Sequence, residues 1–516
     1  MTRKVKLSNV RRNRVVAIPV AGLLAMSSAL AYSQELAAET DGPKSYKLIP
    51  RLSISETFTD NVTLSSSNPQ SEKITVLSPG LRITKDSGQL KAYLDYTLNE
   101  INYAENTSSR RTQNALNALG SWEAINKFAY LDFSGVVTQQ AISAFGTQST
   151  DAALSNSNQT EVSNYKLSPY LRGQFSELAN YEARVSRTLT RSDATELPGV
   201  AVNESYILLN GTSSSKWIGW MADLRRRNVD YTAGRPTEDD RFDAGLTFFL
   251  SPQFSITANG GREYGNLITL DKESTTTSSV GVNWTPSPTT RLSANKGRRS
   301  FGNTHSIVFE HRTAKTAWRF NDSKDISITP AQTGSGSIYD IFFQQFAGLE
   351  PNPVARAQLV NAYLASSGIN PNTVLVSNLL TSSALLQRRQ DLSISLLGAR
   401  STVTMLVSQS ELTRADTLGA TLGDLARASV VHQQSVSLNL SHRITPDYSA
   451  SVFAAQQKTM GDSSAQETRL NTLNLNLTGK VGKLATASVG VRRASFSGGS
   501  SSYGESAVTF NFNMQF

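Results

Sequence analysis

Ser506-Ala-Val-Thr-Phe-Asn-Phe-Asn-Met-Gln-Phe516 decides how the whole chain is read. Val508, Phe510, Phe512, Met514 and Phe516 alternate with Thr509, Asn511, Asn513 and Gln515. Successive side chains of a strand point to opposite faces, so period two means one apolar and one polar face. The same pattern recurs upstream. Phe242, Ala244, Leu246, Phe248 and Leu250 alternate with Arg241, Asp243, Gly245 and Thr247, and Val436, Leu438 and Leu440 with Ser437, Asn439 and Ser441. Tyr181, Ala183, Val185 and Leu189 make a third such face, and Ile218, Trp220, Ala222 and Leu224 a fourth.

Very short turns join these segments in pairs, among them Lys85-Asp-Ser-Gly88, Ala124-Ile-Asn-Lys127, Thr445-Pro-Asp447 and Lys480-Val-Gly-Lys483. Longer polar stretches separate one hairpin from the next, at 65–72, 105–111, 145–160 and 409–429. Segments of about ten residues with apolar alternation, short turns on one side and long loops on the other are the signature of an outer-membrane β-barrel. The expected fold is all-β: a transmembrane antiparallel barrel of about 22 strands, within a range of 18–22, beginning near Tyr46–Phe58. A final alternating strand ending in Phe resembles the signal by which such barrels are recognised for assembly, with Phe512, Met514 and Phe516 as its apolar residues. Outer-membrane lipid and the barrel-assembly machinery are therefore expected partners.

Composition agrees with that class. The 516 residues are 39% hydrophobic but only 18% charged, and there is no cysteine. A disulfide framework, a Cys-ligated metal and a thiol nucleophile are excluded. Residues 1–31 carry Arg3, Lys4, Lys6, Arg11, Arg12 and Arg14 without an acid, then an apolar run from Val15 to Met26 and Ala29-Leu30-Ala31. A basic head, a short apolar middle and an A-x-A site read as a cleavable signal peptide. Its removal takes away two-thirds of the net charge of +9, and with it the main support for nucleic-acid binding. The expected organisation is a signal peptide at 1–31, a short periplasmic segment at 32–45 and a barrel at 46–516, in the outer membrane of a Gram-negative bacterium.

One stretch breaks the period. From 321 to 383 the chain reads as loop and helix: Asn352-Pro353 is an N-cap followed by Pro at the first helical position, and Gly368 a C-terminal stop. Ile341, Phe342, Phe343 and Phe346 form a second short apolar candidate. By strand parity this connection leaves the extracellular rim, where it is expected either to enter the barrel as a plug or to lie over it as a lid. A barrel of this width is not filled by wall side chains alone.

Chemistry for catalysis is sparse. No G-x-S-x-G elbow or H-E-x-x-H helix occurs, and Glu310 faces away from His311 across its strand. Gly334-Ser-Gly-Ser337 precedes no strand–helix phosphate context. No enzyme, cofactor or metal site is expected. Lumen-lining candidates are Lys91, Tyr93 and Asp95; Lys166, Tyr170 and Arg172; and Trp217, Asp223, Arg225 and Arg227. Rings stack on sugar faces and guanidiniums bind anionic groups bidentately, which suits a charged glycan, although any polar lumen wall uses the same residue types.

Several stretches together resemble the PEP-CTERM system-associated outer-membrane proteins, which accompany exosortase and exopolysaccharide loci. They are Leu48-Ile-Pro-Arg-Leu-Ser-Ile-Ser-Glu-Thr-Phe-Thr-Asp-Asn-Val-Thr-Leu64, Leu77-Ser-Pro-Gly-Leu-Arg-Ile83, Asn114-Ala-Leu-Asn-Ala-Leu-Gly120, and the 353–368 helix followed by Leu386-Gln-Arg-Arg389. The resemblance covers most of the mature chain and carries over no binding residue. It implies a non-enzymatic barrel channel tied to exopolysaccharide production, with exopolysaccharide and polysaccharide-export components as partners. A general diffusion porin and a structural outer-membrane anchor are the alternatives.

Overall fold

The computed structural model describes residues 46–175, 179–195, 199–213, 216–327, 352–366, 384–415, 423–499 and 501–516, with Tyr339, Phe342, Phe343, Phe346 and Glu350. The signal-peptide reading (1–31), the periplasmic segment (32–45), Gly334-Ser-Gly-Ser337, Ile341 and Gly368 lie outside them.

Twenty-two strands follow one another from β1 (Tyr46–Thr59) to β22 (Ser502–Gln515), each antiparallel to the next. The first and last strands also pair, with Ile54 opposite Phe512 and Leu52 opposite Met514. The sheet is thus a closed ring without an edge. In lipid no water satisfies a free N–H or C=O, so closure is what lets strands span at all. Phe516 lies just past β22, and its amide donates to the Pro50 carbonyl at 3.0 Å.

The outward face carries the belt that the alternation prescribes. Phe242, Leu246, Val436, Leu438, Leu440, Leu473 and Phe510 are all exposed, where lipid covers them. At the periplasmic end the turns are so tight that Lys127 and Lys216 adopt φ of 55° and 60°, and Gly482 one of 72°. The left-handed region is easiest for glycine, and Lys enters it here because connections of three to five residues must reverse the chain.

The strands run further than their apolar pattern. β15 (Thr316–Ser327) continues through the polar residues 321–327 that read as loop, and β17 (Ser401–Arg414) continues through Gln409–Ser410–Glu411. There the outward side has risen above the apolar belt. Both faces then meet water or headgroups, and period two loses its signal while the hydrogen-bond ladder continues. By contrast β13 (Thr290–Arg299) and β14 (Gly302–Arg312) are short, and their connection turns at Gly302 with φ 112°.

Replacing Leu438 in the middle of the outward belt by Arg is expected to cost about 2–4 kcal/mol in reversible urea unfolding from lipid vesicles. Lys483→Gln in a periplasmic turn should stay within about 0.5 kcal/mol. Equal effects of the two would place Leu438 away from lipid.

Candidate functional site

The connection between β15 and β16 (Leu385–Leu397) contains the helix α1 (Pro353–Ser366). Asn352 caps it, accepting the Val354 amide on Oδ1 at 2.9 Å, while Pro353 occupies a first-turn position whose N–H has no helical partner. Asn361 Nδ2 donates to the Tyr93 hydroxyl at 2.8 Å, on β3 (Leu90–Tyr103). Asn439 Nδ2 donates to the Tyr363 hydroxyl at 3.1 Å, on β18 (Val430–Arg443). Seven strand pairs separate β3 from β18 by the shorter way round the ring. One helix reaches both only from inside the barrel.

That contact fixes which face is the lumen, and it fixes the depth. Tyr93 lies four residues into β3 from its periplasmic end, and Phe453 six residues into β19 (Tyr448–Met460). Tyr339, Phe342, Val360 and Leu364 bury against Leu406 and Phe453. Val354 and Ala357 bury against Tyr93. α1 therefore lies inside the barrel, in its periplasmic half.

A second connection also turns into the barrel, at the mouth. The connection 142–158, between β5 (Ala129–Ala141) and β6 (Gln159–Phe175), folds inward. Leu154, with no exposed surface, packs among Val62, Ile74, Tyr103, Phe496 and Tyr503 from both sides of the β1–β22 seam. Arg111 donates to the carbonyls of Ala152 and Leu154 at 2.8 and 2.7 Å, and the Tyr103 and Tyr503 hydroxyls to those of Ala153 and Gln148 at 2.7 Å each. Asp151 meets Arg492 of β21 (Ala485–Gly498) at 2.8 Å, and Arg492 meets the fully buried Glu505 at 2.8 Å. At the other end, Ser143 Oγ and the Ala144 amide donate to Asp424 at 2.5 and 2.7 Å.

These two carboxylates are pushed in opposite directions. Burial raises Asp151, but the Arg492 charge and the Ala153 amide outweigh it, and the carboxyl is held below its ordinary 3.8. Asp424 is raised by burial, which its Ser143 and Ala144 donors only partly offset.

Cross-strand register places residues on one face, because partners in a ladder share a side. Lys91, Tyr93 and Asp95 stand on the face of α1; Asp95 is met by both Arg51 and Arg82, and Tyr93 donates to it at 3.0 Å. Lys166, Tyr170 and Arg172 stand on the same face. Tyr170 stacks on Tyr130 with centroids 5.0 Å apart, and Arg172 lies 4.1 Å over the Tyr130 ring. Arg225 and Arg227 both meet Glu204, at 3.4 and 3.2 Å, and Arg225 reaches Asp223 at 3.6 Å. Trp217 sits before β9 (Ile218–Tyr231), 55% exposed in the periplasmic turn. Arg184, Arg299 with Glu263 and Asp239, and the Asp151–Arg492–Glu505 group were not singled out from sequence. Alternation could have found the first two sets. Nothing local pairs Asp151 with a residue 341 positions away. Among the described residues no group of three His, Asp or Glu could hold a metal.

The protein is a closed 22-stranded β-barrel with an outward apolar belt, the architecture of outer-membrane barrels. No family model matches the chain, and no curated protein sequence does. Solved barrels do match. The FrpB iron transporter of Neisseria meningitidis aligns over 90% of this chain and 82% of its own, at 11% identity and TM-score 0.47. The siderophore receptor PirA of Acinetobacter baumannii aligns over 91% and 80%, at 7% identity and TM-score 0.48. The ferric-catecholate import receptor Fiu of E. coli K12 aligns over 90% and 81%, at 9% identity and TM-score 0.45. The likeness is one of barrel architecture, which the closed ring of strand pairs establishes by itself. The expectation of an exopolysaccharide channel is corrected here: the matched barrels named above are an iron transporter, a siderophore receptor and a ferric-catecholate import receptor.

The latch predicts two separable failures. Asp151→Asn frees only the 142–158 connection, so protease cutting there should rise at least tenfold while the heat-resistant barrel persists. Arg492→Ala strands Glu505 as a buried charge, a loss of about 3–5 kcal/mol that lowers barrel stability itself. Because Asp151 is depressed, its contribution is complete above its ordinary 3.8 and is lost as pH falls further. Asp424 acts in reverse, its raised value making ionisation costly as pH climbs through it. Proteolysis of 142–158 should therefore accelerate below about pH 3.8, and a flat profile down to pH 2.5 would remove Asp151 from the latch.

Proposed function

We propose that the protein is a gated, non-enzymatic outer-membrane transporter whose resting state is closed by its own extracellular connections. The observation that carries this reading is α1, buried against Tyr93 on β3 and against Leu406 and Phe453 on β17 and β19, deep in the lumen. A wall that served only as an anchor needs no helix there, and burying Val354, Ala357, Val360 and Leu364 contributes on the order of 1.5–3 kcal/mol for each large side chain. The closed lumen is a resting state, and transport then requires the plug and the mouth connection to move.

The wall beside the plug is polar and aromatic, which suits passage of a polar solute over that of a lipid. The resemblance to PEP-CTERM system-associated proteins remains a proposal on its own residues, 48–64 foremost, and adds no substrate. Assembly through the Phe512, Met514 and Phe516 strand belongs to the same proposal, as does export by the 1–31 signal peptide.

Replacing residues 353–366 by a Gly-Ser linker of equal length should raise single-channel conductance in planar bilayers at least severalfold over the wild type. Val360→Asp, which puts a charge into the buried contact, should give frequent openings with the same strands intact by circular dichroism. Wild-type channels already open, with conductance unchanged by either substitution, would sink the plug.

A further inference from the structure

The outward face carries a second charged feature, far from the lumen and unused by any of the above. Lys296 on β13 lies directly opposite His305 on β14, His305 opposite Lys324 on β15, and Lys324 opposite Arg388 on β16. Register partners have Cβ atoms about 4.5–5.5 Å apart, and like charges so placed destabilise a sheet. Four adjacent strands thus hold a rung of three permanent cations and a histidine. Arg298, next outward on β13, and Arg262 on β11 (Phe254–Gly265) extend it.

One acid answers this rung. Asp322 lies 3.0 Å from His305 and 3.4 Å from Arg388. Among the described residues no carboxylate pairs with Lys296, Lys324, Arg298 or Arg262, and Lys296, Arg298 and Arg262 are exposed. Several other outward cations face acids: Arg226 meets Glu238 and Asp240, Lys73 meets Glu56, and Lys458 meets Glu467. Arg187 and Arg191 on β7 (Ala179–Ser192) and Arg493 on β21 face none among the described residues, but their register partners are uncharged. What sets β13–β16 apart is that its cations stand in register with one another on adjacent strands.

Its height identifies the medium. On the periplasmic side of the rung, below Asp322 and Gln390 on β15 and β16, the same outward positions are apolar: Leu292, Ala294, Ile307, Phe309, Phe320 and Leu392. The cations thus sit at the extracellular edge of the apolar belt, level with the headgroups of the outer leaflet. In a Gram-negative outer membrane those headgroups are phosphorylated glycolipid. A phosphate accepts charge-assisted hydrogen bonds from several cations at once and would relieve the repulsion along the rung.

We propose that the β11–β16 rung is a binding site for the phosphorylated headgroup of lipopolysaccharide. The acyl chains would lie along the Ile307, Phe309 and Phe320 surface below it. This proposal stands on the outward face and is independent of whether the lumen transports anything.

The test uses the full-length barrel in neutral detergent, titrated with bis-phosphorylated lipid A, dephosphorylated lipid A and inorganic phosphate, and read by native mass spectrometry and thermal unfolding. Wild type should retain bis-phosphorylated lipid A and unfold several degrees higher with it. The triple variant Lys296→Gln, Lys324→Gln, Arg388→Gln should bind it at least tenfold more weakly, and Lys73→Gln, Arg226→Gln on another sector should not. Heat-modifiable gel mobility shows that both variants are folded. Equal binding by the triple variant, or equal binding of dephosphorylated lipid A, overturns the site. Saturation by inorganic phosphate at the lipid's own concentration would mean a free-anion site and also overturns it, as would capture of an acidic protein in preference to lipid A.

Discussion

Every feature of this molecule depends on the hydrogen bonds between β1 and β22. Inside a bilayer an unpaired backbone amide costs several kcal/mol, and an open 22-stranded sheet would expose two full edges of them. Joining Arg51–Thr59 to Ala507–Gln515 removes both. Once the ring closes, alternate residues have no choice of environment: one set meets lipid, the other the lumen. The seam also sets the circumference, since 22 strands enclose a space that wall side chains cannot fill. What occupies that space becomes the functional question.

The chain answers with its own loops, and the cost of doing so is visible in the polar groups. Backbone carbonyls of 148–154 enter the mouth as unpaired acceptors unless the wall meets them. Tyr103, Arg111, Gln113 and Tyr503 are donors that do. Arg492 stands between two carboxylates, so its buried charge has a partner on the wall in Glu505 whether or not Asp151 is present. That asymmetry lets the mouth connection detach without leaving the barrel an isolated buried cation. α1 differs: its anchors are apolar clusters with two tyrosine hydroxyls, and its release would expose hydrophobic surface on both sides.

The legibility of these parts in the sequence follows the physics of each. The belt is legible because lipid imposes period two on Leu473, Leu475 and Leu477 as strictly as on Phe510 and Phe512. The upper strands are not, because above the belt Asp322 and Lys324 face headgroups while the ladder beneath them is unchanged. Asn352-Pro353 marked the start of α1 through local capping chemistry. Its depth in the lumen is a tertiary fact carried by Tyr93, a residue that sequence alone placed on the correct strand but could not link to Asn361. Trp217 misleads for the converse reason: parity extends its strand by one residue, and the turn ends it.

The same residue types do opposite work on the two faces of the wall. Inward guanidiniums are matched: Arg184 meets Asp132 at 2.7 Å, Arg299 meets Glu263 at 2.7 Å, and Arg225 and Arg227 share Glu204. Several also lie over rings, Arg184 3.8 Å above Tyr170 and Arg225 5.3 Å from Tyr206. Held by a carboxylate below and a ring beside, these side chains form a stiff wall with little net field, so a solute passing β5–β11 would be sorted by shape and hydrogen bonding more than by charge. The outward cations of β13–β16 have neither carboxylates enough nor rings. Stiffness inside and unspent charge outside are therefore separate solutions: the lumen must hold its dimensions against water, whereas the outer face can leave its charge for the membrane to complete.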